Sequence, residues 1–498
     1  MNPGAFGSID IIMIFAYSGV LIGMGIYFTR KSGTAEQFMV AGRSIPAWAA
    51  GLAIMSASTS SISYIATPGK AFDTNWHPLI FALCIPPVVW LINKYVVPFY
   101  IKIQVISVYS MLEEKLGMWA RVYAALSFVL YMIGRAAVIL YLAGLLLSNF
   151  VSWNLMAVII VIGVITILYT LLGGMEAVIW TDVMQSVIMI FGILICVGYL
   201  TVEIFSQPDF LIKSALDANK FSLGDWELSL SSRTVWVMII YGVTENLRDL
   251  LADQNYVQKY SSVASAKEAT RSIWISTLIY IPLTIIFLYI GTALFAYYSG
   301  AGHVLADSVT KGDQVFPYFI ATQLPAGMKG LIVAAILAAA MSTIDSALNC
   351  SATVLFLDFF KRYVKPQIGE KGSVLFLRIS TALWGILGTG FALLIIQANS
   401  ALDIWWEVSG IFGGGILGLF ILYFLKIRLR LWQGLVSIAA SMLLIAWATF
   451  ARNLPAEWQW AQCNIEEIII GTLGTAALLI VAFAFHLMNK RLKVNPAE

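Results

Sequence analysis

Apolar runs of about 20 residues, separated by short polar breaks, recur from one end of this 498-residue chain to the other. A helix rising about 1.5 Å per residue needs that length to cross a hydrocarbon core about 30 Å thick. About 13 such segments can be drawn, over residues 9–29, 46–70, 77–101, 120–150, 154–174, 176–205, 234–251, 272–298, 317–348, 374–397, 403–425, 432–451 and 465–487. Each is predicted to be a helix, because backbone exposed to lipid has to satisfy its hydrogen bonds internally. The longest break, Ser206 to Ser232, is too short for a soluble domain. The expected fold class is therefore all-α and polytopic, with one membrane domain over residues 1–498.

Composition agrees with the pattern. The chain is 60% hydrophobic and 11% charged, with mean hydropathy +0.85, which excludes an ordinary soluble fold. Its net charge of +3 is scattered through short loops, so no nucleic-acid partner is implied. The scatter instead reports orientation, since cytoplasmic loops carry the Lys and Arg excess. With the N-terminus outside, alternate loops bring to the inside Arg30, Lys31 and Arg43, then Lys102, Lys115 and Arg121, then Lys259, Lys267 and Arg271. Lys361, Arg362, Lys365 and Lys371 follow, then Lys426, Arg428 and Arg430, and finally Lys490, Arg491 and Lys493. That makes about 19 inside against about 6 outside. The segment from Ile9 to Thr29 has no basic region before it and is read as a retained helix rather than a signal peptide. Cys84, Cys196, Cys350 and Cys463 have neither paired nor metal-like spacing.

Some spans carry polar residues that packing does not need. The second reads Ser56-Ala57-Ser58-Thr59-Ser60-Ser61-Ile62-Ser63 before Pro68-Gly69. That run favours an interrupted helix, whose freed carbonyls and amides can hold sodium and face anionic groups. The alternative is that the hydroxyls bond back to their own helix or join helices together. In the ninth span Ser342, Asp345, Ser346 and Asn349 share one helical face, a stripe of hard oxygen atoms beside small alanines. It suits a monovalent cation; a proton relay or a polar packing seam is the alternative. Asp182 lies about one and a half turns inside the sixth span, as an ion ligand, an exit relay or an interfacial acid. Arg135, near the centre of the fourth span, needs an anion, either a protein acid or a substrate carboxylate that its fork would grip in two places. The polar run Thr244-Glu245-Asn246-Leu247-Arg248-Asp249 suggests a second interrupted helix in the seventh span. His77, His303 and His486 are far apart in sequence, and no Gly-x-x-x-x-Gly-Lys-Ser/Thr motif occurs, so neither an intramembrane enzyme nor a nucleotide-driven pump is indicated. A channel or a solute sensor remains the rival, and neither concentrates its solute.

Several stretches together resemble the sodium:solute symporter family. They are the polar second span, Gly-Gly-Met-Glu-Ala-Val-Ile-Trp-Thr-Asp at 173–182, Ala-Asp-Gln-Asn-Tyr-Val-Gln-Lys-Tyr at 252–260 and Ala-Met-Ser-Thr-Ile-Asp-Ser-Ala-Leu-Asn at 340–349. The resemblance implies a LeuT-like core of two inverted five-helix repeats, about residues 46–205 and 234–451, in a bacterial inner membrane. The N-terminus would then be periplasmic and the C-terminus cytoplasmic. It implies Na+ as coupling ion, held by the carbonyls of Ser56, Thr59 and Ala339 and the hydroxyls of Ser342 and Thr343. A second sodium site would use Asp182, Ser342, Asp345 and Ser346, with Asp at 345 where the sialic acid branch of the family has Ser. The spans around Trp48 to Trp76 and Tyr131 to Leu147 look most like that branch. The likeness implies that Arg135 clamps a sugar acid's carboxylate while Ser58, Ser60, Ser63 and Asn246 surround it. Pro78 and Ala82 depart from the aromatic residue and the Gln of that branch, so part of the pocket differs. The expected partners are a small sugar acid, sialic acid first and a uronate, neutral hexose or inositol after it, and the lipid bilayer. The chain is expected to act as a monomer.

Overall fold

The computed structural model describes residues 7–30, 32–151, 153–205, 208–300, 304–307, 309–396 and 413–491, and among them every regular element is a helix. The first, α1, spans Ser8–Thr29 and leaves most of its apolar surface outside the protein core. The second predicted span is broken into α2, Ala47–Ser58, and α3, Ser61–Asp73. The third, α4, runs over Pro78–Lys102 as three short helical pieces, each with proline in its first turn, where a missing N–H costs nothing. Next come α5, Met118–Val151, and α6, Leu155–Phe205. The seventh predicted span becomes α7, Val235–Ala252, followed by the short α8, Gln254–Tyr260. The chain continues through α9, Ala266–Gly300, and α10, Met328–Val354, which widens into π-helical turns as far as Val364. It ends with α11, Glu370–Ile395, α12, Ile416–Phe424, α13, Leu431–Phe450, and α14, Ile470–Arg491.

Among the described residues, nine helices are long and apolar enough to cross a membrane. The count differs from the predicted segments for definite reasons. One of the nine is α6, which joins two predicted spans through Gly174, a residue with φ 60° and ψ −156°. Only glycine occupies that conformation freely, and a Cβ there would meet Phe38 at 2.9 Å. Neither α2/α3 nor α7/α8 qualifies, because breaks and polar residues divide them. The eleventh predicted span begins among residues 397–412, which lie outside the described set. The ninth begins later than predicted, at Met328 rather than 317, since Gly312–Gln323 forms a separate short helix and Gly327 turns with φ 89°.

The core is organised around α10, with 94% of its most apolar window buried. It packs against α6 most extensively and also against α5, α1, α11, α2 and α8. Its first turn is fastened by a distant carboxylate: Asp10 of α1 accepts from the amides of Gly327 at 2.8 Å and Gly330 at 2.7 Å. Those donors have no intrahelical partner, and the negative charge sits at the positive end of the helix. Across the molecule α9 lies against both halves of the broken span. A Cβ at Gly291 of α9 would strike the Pro68 carbonyl oxygen, so this approach depends on a missing side chain.

Gly174→Ala should lower the melting temperature of the detergent-purified protein, because the backbone strain alone is about 1–3 kcal/mol. An unchanged melting curve would mean that the turn relaxes to an ordinary helix.

Candidate functional site

Thr59 (φ −106°, ψ 94°) and Ser60 (φ −93°, ψ 174°) are extended, so the helix stops at Ser58 and restarts at Ser61. The second break falls at Asp253 (φ −90°, ψ 117°). It lies beyond Thr244–Asp249, where the sequence suggests it, and that polar run stays helical. Its side chains satisfy one another or the helix itself: Thr244 donates to the Ile240 carbonyl at 2.8 Å and Asn246 to that of Gly242 at 2.7 Å. Asp253 makes the better interruption because its carboxylate caps α8, accepting from the Asn255 amide at 2.8 Å.

Opposite the first break, the polar face of α10 is wholly buried at Ser342, Thr343, Asp345, Ser346 and Asn349. The Ser342 hydroxyl donates to the Ala339 carbonyl at 3.1 Å and stands 3.5 Å from that of Ser56. Thr343 donates to the same Ala339 oxygen at 3.2 Å. Oxygen atoms of four predicted sodium ligands, Ser56, Ala339, Ser342 and Thr343, are thus brought together across α2 and α10. Thr59 sits on the break beside them, its amide bonded to the Met55 and Ser56 carbonyls at 3.1 Å. These are buried neutral hard oxygens, and among the described residues the Ser56 hydroxyl lacks a partner. Such a set fits a monovalent cation and lacks the carboxylates a divalent ion requires.

The residues predicted for a second ion are adjacent but already engaged. Asp182 pairs with Lys259 at 2.8 Å, both fully buried. Asp345 accepts from Tyr169 at 2.8 Å and from Ser346 at 3.2 Å. Counted with the basic residues of the inner loops, Lys259 is instead carried inward by α8. Its sequence neighbours Gln254 and Gln258, buried on the same short helix, are the available signal.

Between the two broken spans opens a cavity of about 500 Å³. Ser58, Arg135 and Asn246 line it, while Ser60 and Ser63 of the predicted set do not. Ser58 donates to the Ile54 carbonyl at 3.1 Å and lies 3.2 Å from the Tyr256 hydroxyl. Asn246 gives its amide hydrogens to Phe81 and Gly242, which leaves its oxygen free to accept. Arg135 donates to the Ala57 carbonyl at 3.1 Å and forms no ion pair among the described residues. The other cations lining the cavity are paired. Arg248 meets Glu245 at 2.9 Å and Asp249 at 3.1 Å, and its guanidinium lies over the Tyr131 ring at 5.1 Å. Arg452 meets Glu467 at 2.5 Å. Arg248, Tyr131 and Tyr256 are not identifiable as cavity residues from sequence, because their roles depend on which helices face each other.

A helical bundle with paired broken spans, an ion-sized oxygen cluster at one break and a polar cavity beside it defines a secondary transporter of the LeuT-like inverted-repeat class. The chain belongs to the sodium:solute symporter family, whose model matches residues 38–429. It is a transporter rather than an enzyme, and sodium is its coupling ion. The sodium/sialic acid symporter NanT of Aliivibrio fischeri is 32% identical to it, over 97% of this chain and 94% of that protein. SiaT of Proteus mirabilis, also a sodium/sialic acid symporter, is 30% identical over 98% and 99%. Among solved structures, a Na+-coupled sialic acid symporter in a substrate-bound, outward-open state superposes with TM-score 0.86 at 27% identity, covering 97% of this chain and 98% of the other. Mhp1, a nucleobase-cation-symport-1 family transporter, shares the fold at TM-score 0.57 and 16% identity, over 92% and 96%.

Replacing Arg248 by Met should destabilise the protein by about 2 kcal/mol, less than in a dry interior because the cluster borders the cavity. Adding Glu245→Gln and Asp249→Asn should restore most of the loss in a thermal melt. No recovery would mean that packing against Tyr131, not charge, is what Arg248 supplies.

Proposed function

We propose that this chain imports sialic acid by sodium symport across a bacterial inner membrane, with Arg135 holding the substrate carboxylate. The observation that carries the reading is the Arg135 guanidinium, which lines the cavity with one backbone hydrogen bond and, among the described residues, no carboxylate within ion-pair distance. A buried guanidinium seeks a bidentate acid, and a sugar acid brings one. Ser58 and the free oxygen of Asn246 are placed to meet the sugar's polar groups. Supporting the sodium assignment at Ser56, Thr59, Ala339, Ser342 and Thr343 is the neutral oxygen cluster at the first helix break.

The excess of Lys and Arg in alternate loops supports a periplasmic N-terminus and a cytoplasmic C-terminus. In that orientation Arg452 and Glu467, which line the cavity, lie toward the periplasmic side. The residues proposed for substrate and sodium all come from one chain, which supports a monomeric transport unit. An acid entering a negative interior works against about 2.3 kcal/mol per 100 mV, which one sodium ion cancels. A second sodium would add a similar electrical term plus about 1.4 kcal/mol for each tenfold ion gradient, enough to concentrate the solute.

Purified protein in proteoliposomes should accumulate labelled sialic acid above its external concentration under an inward sodium gradient, and not with potassium in its place. Sodium-driven uptake of a uronate without sialic acid would retain the coupling and move the substrate within the sugar acids. Equilibration without accumulation would make the protein a channel. Arg135→Ala should reduce sugar-acid uptake about a hundredfold, the loss of one desolvated charge pair, whereas uptake of a neutral sugar would not depend on it. A fluorescent protein fused to the C-terminus should fluoresce, as it does when it folds in the cytoplasm; a dark but inserted fusion would reverse the orientation.

A further inference from the structure

Where α7 stops at the second break, the carbonyls of its last turn have no amide of the same helix to accept from. Three of them in succession are met by tyrosine hydroxyls from three different parts of the chain. Tyr260 of α8 donates to the Leu250 carbonyl at 3.0 Å, and Tyr100 of α4 to that of Leu251 at 2.8 Å. Tyr109, in the segment between α4 and α5, donates to that of Ala252 at 3.1 Å. All three tyrosines are wholly buried. Neighbouring helices hold the rings from outside the break: Tyr100 lies 6.3 Å from Phe424 of α12 and Tyr109 lies 5.4 Å from Phe128 of α5, centroid to centroid.

The segment that delivers Tyr109 is in turn gripped by the helix beyond the break. Residues 103–111 belong to no helix, yet Val105, Ser107, Val108 and Tyr109 are buried, so their backbone needs partners. Gln254, the first residue of α8, donates to the Ile106 carbonyl and accepts from the Val108 amide at 3.0 Å. The break and the segment therefore fix each other. Leu250 and Tyr256 line the cavity on either side of the break, as do Asn246 and Asp249 just before it. A buried carbonyl stripped of its donor is costly, and the cavity is the polar space open to it. Without the hydroxyls the last turn of α7 would loosen toward the cavity and carry these side chains out of place.

We propose that Tyr100, Tyr109 and Tyr260 are positioning residues for the transported solute. By holding the last carbonyls of α7 they fix the second break, and with it the stretch of wall from Asn246 to Tyr256 that shares the cavity with Arg135. None of the three lines the cavity itself. The inference rests on the reading of that cavity as the solute site.

Tyr100→Phe with Tyr109→Phe removes two hydroxyls and keeps both rings. Equilibrium binding of labelled sialic acid to the purified protein in saturating sodium is expected to weaken about tenfold, because the positioned break becomes the minor conformer. Radioactive sodium bound without solute is expected to be unchanged, since Ser56, Ala339, Ser342 and Thr343 share no hydrogen bond with these tyrosines. Sialic acid bound as tightly as by the wild type would overturn the proposal. So would sodium and solute affinities that fall together, the mark of a general loosening. Tyr109→Phe alone replaces the double variant if that protein fails to elute folded, with about a threefold loss expected. Hydrogen exchange needs no solute: the amides of residues 250–260 should exchange faster in the variant and those of α10 as in the wild type. Unchanged exchange at the break would overturn the proposal. A wild type that binds sodium but not sialic acid would overturn the choice of solute, and the exchange result would still decide the role of the tyrosines.

Discussion

A spanning helix that stops and restarts inside the bilayer leaves backbone groups where no water can satisfy them, and the rest of this architecture answers that need. At Thr59 and Ser60 the chain is extended; the Ser56 carbonyl beside the break takes the Thr59 amide and stands 3.5 Å from the Ser342 hydroxyl of α10, and the Ala57 carbonyl takes the Arg135 guanidinium. Supplying that hydroxyl requires α10 to be polar, and a polar helix survives in a membrane only when other helices enclose it. The near-complete burial of α10 among α6, α5, α1 and α11 follows from that condition. Oxygen atoms of that kind are what a partly dehydrated sodium ion needs, so the proposed ion site falls where the backbone is interrupted.

Charge is rationed in the same way. An unpaired ion buried in the membrane is costly, and among the described residues several are paired: Asp182 with Lys259 in the core, and Arg248 with Glu245 and Asp249 beside the cavity. Against that background, Arg135 and Asp345 have no ion partner among the described residues, and nor does Asp253, which caps α8 instead. Arg135 projects into the cavity and Asp345 lies beside the ion cluster.

Much of this is legible in the order of residues along the chain. The run from Ser56 to Ser63 points to the first break because hydroxyls compete with helical hydrogen bonds within a few residues of sequence, and that competition is local. The face shared by Ser342, Asp345 and Ser346 follows from helical periodicity alone. The second break lies about one turn beyond the place that polarity indicates. The polarity of Thr244–Asp249 resembles that of an interrupted helix, yet Arg248 and its acids satisfy each other and leave the backbone intact. Ser60 and Ser63 group with Ser58 by proximity in sequence, but only Ser58 lines the cavity, because the restart at Ser61 turns α3 away from it.

By itself the sequence determined the helical class, the membrane environment, the family and the polar segments that carry function, since bilayer thickness and helix geometry translate directly into residue spacing. Tertiary structure alone decided the partners. Lys259 reads as one more basic residue of an inner loop, and it becomes the counter-ion of Asp182, 77 positions away, only when α8 folds inward against α2 and α10. Asp10 reads as an acid near a terminus and becomes the cap of α10, with Gly330 320 residues distant. Arg135 required an anion on any reading, and whether the protein would supply one depended on which side chains the packing brought within reach. Contacts of that kind have no signature in spacing, because the distance that sets their energy is measured through the fold and not along the chain.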